Sequence, residues 1–275
     1  MSYGSMPIDG GFYLFNDDEK TDFLEKEPNA APFFRKFMGS SEFIKGTSRW
    51  CLWLKNADPK ELKALPFVLE RIEKVKKIRQ SSTAEPTQKA ANYPTLFFYD
   101  SQPEIDYLGM PEVSSERRRY VPIGFLSKEI IASNKLYTMP GATLYHFGIL
   151  TSLMHMTWMK YTAGRMKSDY SYSNSIVYNN YPFPLNSTDA QKQKVEAAAQ
   201  AVLDTRAKYP GSSLADLYDP VTMPPDLVKA HTALDKAVDL CYRPQAFTNE
   251  LSRIEFLFGL YEQYTTPMFG TKKKK

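Results

Sequence analysis

The 275-residue sequence predicts an α+β protein, a mixed β-rich unit over residues 1–184 followed by a small helical unit over 185–271. Three observations carry that expectation. Short aromatic and β-branched runs, broken by Pro, Gly and Ser, fill much of the first 184 residues. One strong helical period interrupts them at 58–80. After "NNYPFP" the texture changes to long amphipathic runs. Apolar residues make up 43% and charged residues 24%, enough to bury the core of an ordinary soluble globular protein.

The opening "YGSMPIDGGFYLF" reads as a Gly- and Pro-punctuated loop entering a strand. In "EKEPNAAPFFRKFMGSSEFIKGTSRWCLWL" a helix start near Asn29 precedes short strands at "EFIKG" and "RWCLWL". Residues 58–82, "DPKELKALPFVLERIEKVKKIRQSS", are the clearest helix. Asp58 can cap, Pro59 suits the first helical position, and Leu62, Leu65, Val68, Leu69, Ile72, Val75 and Ile78 recur at helical spacing. Arg71, Lys74, Lys76, Lys77 and Arg79 fall on the other face, either a solvated surface or a helix end lying along phosphates. "SSTAEPTQKAANYP" follows as a loop. "TLFFYDSQPEI", "YVPIGFLS", "EIIASNKLYTM" and "ATLYHFGIL" are short β-rich pieces of a compact sheet. "YHFGILTSLMHMTWMKYTAG" is apolar and Met-rich, a buried helix rather than a cofactor pocket. "DAQKQKVEAAAQAVLDTRAKYPGSSLADLYDP" reads as a capped helix ending before Pro210-Gly211. "MPPDLVKAHTALDKAVDLCY" and "NELSRIEFLFGLYEQYTT" read as two more helices.

Several function classes find no support in the residues. No run reaches the roughly 20 apolar residues of a membrane helix, and the opening has no basic segment followed by an apolar one. Cys51 and Cys241 match no metal-ligand spacing and read as reduced core thiols of a cytoplasmic protein. His146, His155 and His231 form no paired ligand motif, so no metal is expected. Neither common nucleotide-phosphate loop occurs, nor HExxH, GxSxG or a carboxylate cluster, so the chain by itself does not look like a catalyst. The net charge of +4 equals that of the terminal Lys272–Lys275, a basic tail expected to be disordered and given no function. Elsewhere basic side chains outnumber acidic ones over 61–184 and the reverse holds over 185–271, a pointer to an anionic partner for the middle of the chain.

The chemistry concentrates between Glu112 and Ser173. "MPEVSSERRRYVPIGF" sets Arg117, Arg118 and Arg119 beside a serine pair. A loop can splay three adjacent arginines towards successive phosphates while Ser114 and Ser115 donate further hydrogen bonds. The competing reading is a solvated charge run in which Glu116 pairs with one arginine. "ASNKLYTMP" places Asn134 beside Lys135, and "GRMKSDYSYS" adds Arg165, Lys167, Asp169, Tyr170, Ser171 and Tyr172. These residue types suit base edges: Lys donates to guanine O6 and N7, carboxylates accept from cytosine N4, and Ser goes either way. In a strand or extended turn, positions 167, 169 and 171 would project from one side with period two. Lys167 and Asp169 could then read one G·C pair across both strands.

"YGSMPIDGG", "EFIKGTSRWCLWL", "SSERRRYVPIGF", "FGILTSLMHMTWM", "GRMKSDYSYSNSIVYNNYPFP" and "SLADLYDPVTMPPDLVKAH", in this order, resemble the C-terminal part of MmeI-like type IIL/IIG restriction–modification enzymes. The likeness covers nearly the whole chain. It implies a target recognition domain over 1–184 and a helical C-terminal domain over 185–271, the specificity module of a bacterial, cytoplasmic enzyme. That enzyme would be an adenine-specific DNA methyltransferase fused to an endonuclease. The Gly-rich S-adenosylmethionine motif and the Asn-Pro-Pro-aromatic motif of the family are missing here, and "YNNYPFP" does not replace the latter. S-adenosylmethionine and Mg2+ are therefore expected in the full-length enzyme and no cofactor in this chain. Its expected partners are double-stranded DNA and the methyltransferase domain of the same or a companion chain, with no membrane.

The resemblance also implies roles for single residues. Lys167 with Asp169 would read the base pair 3′ of the methylated adenine, favouring guanine. Lys135 with Ser171 would read the pair 5′ of it, again favouring guanine. Glu112 with Asn134 would read the next pair out, where Glu112 suits cytosine N4. Together these imply a C-G-A-G core. Arg117, Arg118, Arg119, Arg165, Ser114 and Ser115 are the expected backbone contacts. The alternative from another class is a protein-interaction or scaffold module that docks a partner through its basic helix and aromatic surface.

Overall fold

The clearest helical run of the sequence is cut in two by Pro66 in the computed structural model, which describes residues 1–266. Asp58 caps Pro59–Lys63 through the Lys60 amide, with Pro59 in the first turn as expected. Pro66 has no N–H to continue that helix and opens the next one, Pro66–Gln80. The buried Glu27 carboxylate caps this second helix from a distance, accepting from the Phe67 and Val68 amides at 3.1 and 2.9 Å. Leu62, Leu65, Val68, Ile72 and Val75 are buried as their spacing predicts, while Leu69 and Ile78 stay partly exposed.

Arg79 departs from the expectation of a solvated or phosphate-facing side chain. It is fully buried and donates to the carbonyl oxygens of Pro7, Ile8, Ala90, Tyr93 and Leu96. A guanidinium has five N–H donors, and here a ring of backbone acceptors satisfies them. The side chain ties the N-terminal segment to the end of its own helix and to the residues that follow.

The chain forms two compact units, one of Ser2–Gly109 with Phe125–Pro140, the other of Met1, Met110–Gly124 and the chain from Gly141 onward. In the first unit one four-stranded sheet runs Leu14–Phe15, Trp50–Leu52, Phe34–Met38, Ile131–Ala132, antiparallel except for the last, parallel pair. Its inner face packs Phe15, Phe34, Phe37, Cys51 and Leu52 against Leu62, Val68, Ile72 and Val75 of the helices. A second sheet runs Ser2–Tyr3, Leu136–Pro140, Tyr107–Pro111, Gly124–Leu126. The chain leaves the first unit on Tyr107–Pro111 and returns on Gly124–Leu126.

Local chemistry overturns several expected elements here. "EFIKG" is not a strand but most of a helix, Ser40–Lys45, because Glu42 reaches back to accept from the Gly39 amide and Gly46 closes the end at φ 69°. The helix expected near Asn29 is a 3-10 turn over Pro28–Phe33. Asp17–Lys26, which the sequence reading passed over, is a helix closed by a reciprocal Asn16–Glu19 box. The expected loop around 81–94 contains a short helix, Glu85–Ala90. In "TLFFYDSQPEI" only an isolated bridge from Tyr99 to Met6 forms.

The second unit places Leu144–Leu150, Leu153–Thr162, Asp189–Ala207, Pro225–Tyr242 and Glu250–Thr265 together as helices, with a short turn of helix at Leu214–Leu217. "ATLYHFGIL" is thus helical rather than a strand, started by Thr143 and His146. Gly148 explains the close approach of three helices: a Cβ there would lie 2.7 Å from Val195 Cγ1 and 3.2 Å from Leu234 Cδ1. This unit gathers 110–124 and 141–184 with the helices beyond Leu185. A buried polar network explains why. Tyr120 donates to Asp235 at 2.7 Å and stacks on His231, and Arg206 donates to the Ile123 carbonyl. Burial raises the Asp235 carboxyl to about 6, against the opposing pull of the Leu153 amide and the Tyr120 hydroxyl. Burial likewise holds His231 well below its usual range. Among the described residues no helix is long and apolar enough to cross a membrane, and no group of His, Cys, Asp or Glu is arranged to hold a metal ion. Cys51 and Cys241 are buried free thiols. The tail Lys272–Lys275 lies outside the described residues.

Candidate nucleic-acid interface

"GRMKSDYSYS" folds as a hairpin. Gly164–Met166 pairs with Asp169–Ser171, and the latter pairs on its other side with Val113–Ser114. The expected row of 167, 169 and 171 along one strand is therefore corrected at its first member. Lys167 lies in the two-residue loop, with φ 57°. Ser168 has no positive φ, which is the pattern of a II′ turn, whose first central position favours glycine. Lysine accepts strain there, and its side chain stands exposed at the hairpin tip.

Asp169 and Ser171 keep the period-two relation. Tyr170 between them is 5% exposed and Tyr172 after them 3%, so the strand buries its tyrosines and turns Asp169 and Ser171 outward. Tyr172 is held twice: its amide donates to the Glu112 carbonyl at 2.7 Å, and its hydroxyl shares a hydrogen bond with His155 Nε2 at 3.1 Å. His155 comes from the helix Leu153–Thr162, and burial lowers its pKa to about 4, so it is neutral in this role. Sequence reasoning counted these tyrosines among the polar residues of the segment and did not give them this anchoring role. The alternation D-Y-S-Y-S carries their signal.

The other second-unit residues divide. Asp169 Oδ1 accepts from the Glu116 amide at 3.3 Å, which fixes the carboxylate. Glu112 is half-buried at the start of the Val113–Ser114 strand. Arg117 and Arg119 are exposed and Arg118 half-buried. They are splayed: Arg119 leans over the Tyr120 ring at 5.4 Å, whereas Arg118 lies within the field of Asp169 and Asp219. Burial pulls the Arg118 guanidinium below its usual range, and those two carboxylates oppose it. Ser115 shapes the turn, accepting from the Arg117 amide through its hydroxyl and from the Arg118 amide through its carbonyl. Arg165 takes the pairing expected of the triplet: it meets Glu116 at 3.6 Å, donates to the Ser168 carbonyl at 3.0 Å and stacks over Tyr170 at 4.0 Å. Its guanidinium braces the hairpin on the face opposite Asp169. Ser114 pairs with Tyr170 on the buried side, 4% exposed, so its hydroxyl is not presented as a phosphate donor.

In the first unit, Asn134 and Lys135 occupy the tight connection between Ile131–Ala132 and Leu136–Pro140. Backbone contacts hold it. The Asn134 amide donates to the Ser5 carbonyl at 2.9 Å, the Ser5 amide to the Ala132 carbonyl at 2.6 Å and the Gly4 amide to the Leu136 carbonyl at 3.0 Å. The Ser133 hydroxyl accepts from the Lys135 amide at 3.2 Å, and the Ser40 hydroxyl donates to the Lys135 carbonyl. Gly4 is obligatory for this fit, since a Cβ would come within 2.5 Å of the Ala132 carbonyl oxygen and closer to that of Ser133. Asn134 is left half-buried and Lys135 exposed. The "YGS" motif thus serves this connection.

Comparison with known proteins adds to this geometry. The family described as MmeI, target recognition domain matches residues 1–185, and MmeI, C-terminal domain matches 187–269. DNA methyltransferase A of Bacillus subtilis (strain 168) is 43% identical over 266 residues, 96% of this chain and 30% of that protein. The solved structure of the type IIL restriction–modification enzyme MmeI in complex with DNA is similar with a TM-score of 0.93 at 48% identity, covering 96% of this chain and 35% of that one. The chain spans about a third of the length of these relatives.

Proposed function

Because the chain belongs to the MmeI family, carrying its target recognition and C-terminal domains, we propose that it recognises double-stranded DNA by sequence, through side chains set into the major groove. The observation that carries this reading is the hairpin. Its outward residues Asp169 and Ser171 are hydrogen-bonding groups suited to base edges, its inward tyrosines fix their height, and Lys167 stands at the tip. A methionine or leucine in those places would make an ordinary surface strand. The solved relative bound to DNA supports the same partner, and no observation comparably favours a protein scaffold.

Lys167 donating to guanine while Asp169 accepts from its cytosine reads the base pair 3′ of the target adenine. The pairs Lys135 with Ser171 and Glu112 with Asn134 rest on the resemblance alone. Together they give the C-G-A-G core. Arg117, Arg118 and Arg119 supply phosphate contacts, with the Ser115 turn setting their spread. We divide the chain functionally near Leu185, in line with the two family matches. The recognition serves an adenine methyltransferase domain that uses S-adenosylmethionine and an endonuclease domain that needs Mg2+, both in the same or a companion chain of the bacterial cytoplasm. The named methyltransferase relative supports that setting.

The test is selection from a pool of randomised duplexes, with the bound fraction sequenced and the binding repeated at rising salt. Binding falls steeply with salt as counterions are released from the phosphates. The bound pool is enriched for guanine 3′ of a common adenine. Lys167→Glu with Asp169→Arg moves that preference to cytosine. A good specific pair is worth about 1–3 kcal/mol of discrimination, or roughly 5- to 150-fold. Binding insensitive to salt removes the phosphate contacts, and an unchanged base preference in the double variant removes the Lys167–Asp169 assignment.

A further inference from the structure

Gly164 opens the edge strand of the hairpin, and nothing in the fold asks for glycine there. Its φ lies outside the left-handed region. The preceding helix is closed by Ala163, whose amide donates to the Met159 carbonyl, so Gly164 does not serve as a left-handed helix cap. Nor would a side chain collide: an added Cβ meets the Ser171 carbonyl oxygen at 3.7 Å and Ser171 Cβ at 3.8 Å, ordinary contact distances. Gly4 and Gly148 differ in this respect, since each lies against atoms that a Cβ would overlap. A strand glycine loses more conformational freedom on folding and packs nothing. Strand glycines often mark a bulge, a tight bend or a close approach by another molecule, and no bulge interrupts this pairing.

The strand register says which place. Gly164 stands directly opposite Ser171 and Met166 directly opposite Asp169, so all four share the outward face. Arg165 stands opposite buried Tyr170 on the other face. Met166 keeps a side chain, 50% exposed, beside Asp169. Ser171 is flanked by Val113 on one side and by the bare Gly164 on the other, so the face is open only towards the sheet edge. A hydroxyl hydrogen bond needs its partner at about 2.7–2.8 Å for oxygen and slightly farther for nitrogen. A base edge must therefore come almost to the sheet surface to reach a side chain as short as serine.

We propose that Gly164 is a specificity-determining clearance, the open ground through which a base-pair edge reaches the Ser171 hydroxyl. The inference deepens the DNA-reading assignment above and rests on it. Any branched side chain at 164 stands in the path of the base while leaving the protein fold intact.

The experiment repeats the duplex selection and adds thermal unfolding, with Ser171→Ala marking the base pair that this hydroxyl reads. Gly164→Val melts at or above the temperature of the unsubstituted chain, because the Cβ has room and a β-branched residue suits a strand. Its preference at the pair marked by Ser171→Ala falls at least tenfold, while the preference assigned to Lys167 and Asp169 persists. Gly164→Ala lies between. Identical preferences in Gly164→Val and the unsubstituted chain overturn the clearance and leave the DNA reading standing. A lower melting temperature in Gly164→Ala overturns it as well, by giving the glycine a folding role. A bound pool from the unsubstituted chain with no enriched position defeats the base-reading proposal and the clearance together.

Discussion

The hairpin 164–171 and the connection 133–135 carry the same kind of residue and hold it in opposite ways. In the hairpin the anchors are side chains: Tyr170 and Tyr172 are buried, Tyr172 is bonded to His155, and Arg165 braces the underside. In the connection the anchors are backbone groups of Gly4, Ser5 and Ala132, with the Ser40 and Ser133 hydroxyls closing the turn. The first arrangement is sensitive to what its inward side chains are and to their ionisation. The second is sensitive to any atom added to its backbone. Both turn polar side chains outward, Asp169 and Ser171 from the hairpin and Lys135 from the connection.

Acid should separate the two most strongly. His155 has its pKa lowered to about 4 by burial, so the unfolded chain takes up its proton first as the pH falls. Stability from this group is complete above about pH 6.5 and is lost towards pH 4, a swing on the order of 3 kcal/mol. His231, held low by burial, acts in the same direction. Asp235, raised to about 6, opposes both, because its contribution is present at low pH and is lost as pH rises through 6. The part owed to His155 is isolated by comparing urea unfolding of the chain with that of His155→Phe at pH 4.5 and 7.5. The variant loses less stability on acidification. Equal losses in both proteins would deny His155 its neutral, buried state.

Adding one carbon should break the other region. Gly4→Ala pushes a methyl into the Ala132 and Ser133 carbonyls, an overpacking strain of about 1–3 kcal/mol. Amide exchange should then accelerate at Ser5 and Asn134 and stay unchanged at Tyr172. Exchange that changes equally at Tyr172 would mean that the two anchoring systems are one.

The smallest effect is also the most diagnostic. Lys167→Gly relieves a left-handed lysine at a turn position that prefers glycine, so stability holds or rises by up to about 1 kcal/mol. Guanine preference in the duplex selection should nevertheless fall. A stable variant with full preference would show that the strained lysine is incidental.

The legible parts of this molecule are those whose information is local. The helices Asp189–Ala207 and Pro225–Tyr242 announce themselves through apolar spacing and end signals, as does the burial of Val68, Ile72 and Val75. Residue types between Glu112 and Ser173 located the segment proposed to read DNA, and a period of two placed Asp169 and Ser171 on one face. Lys167 escaped because lysine does not advertise a turn that glycine normally makes. Arg79 escaped because its partners are five carbonyls, three of them contributed by residues 90–96. The roles of Gly4 and Ser40 depend on residues 132–136, which no window of the sequence brings beside them. "EFIKG" escaped because its β-like composition is overruled by two terminal contacts, Glu42 on Gly39 and the left-handed Gly46.

The buried bond between Tyr120 and Asp235 joins residues 115 positions apart. During synthesis the arginine triplet beside Tyr120 therefore emerges long before the carboxylate that receives the Tyr120 hydroxyl. At about 5–20 residues per second, the interval is roughly 6–23 s. For that time Arg117, Arg118 and Arg119 lack the anchor that Tyr120 gains from Asp235. The lengthy reach of one tyrosine thus sets a schedule as well as a shape: the segment proposed to grip phosphate gains this anchor only after Asp235 has been made.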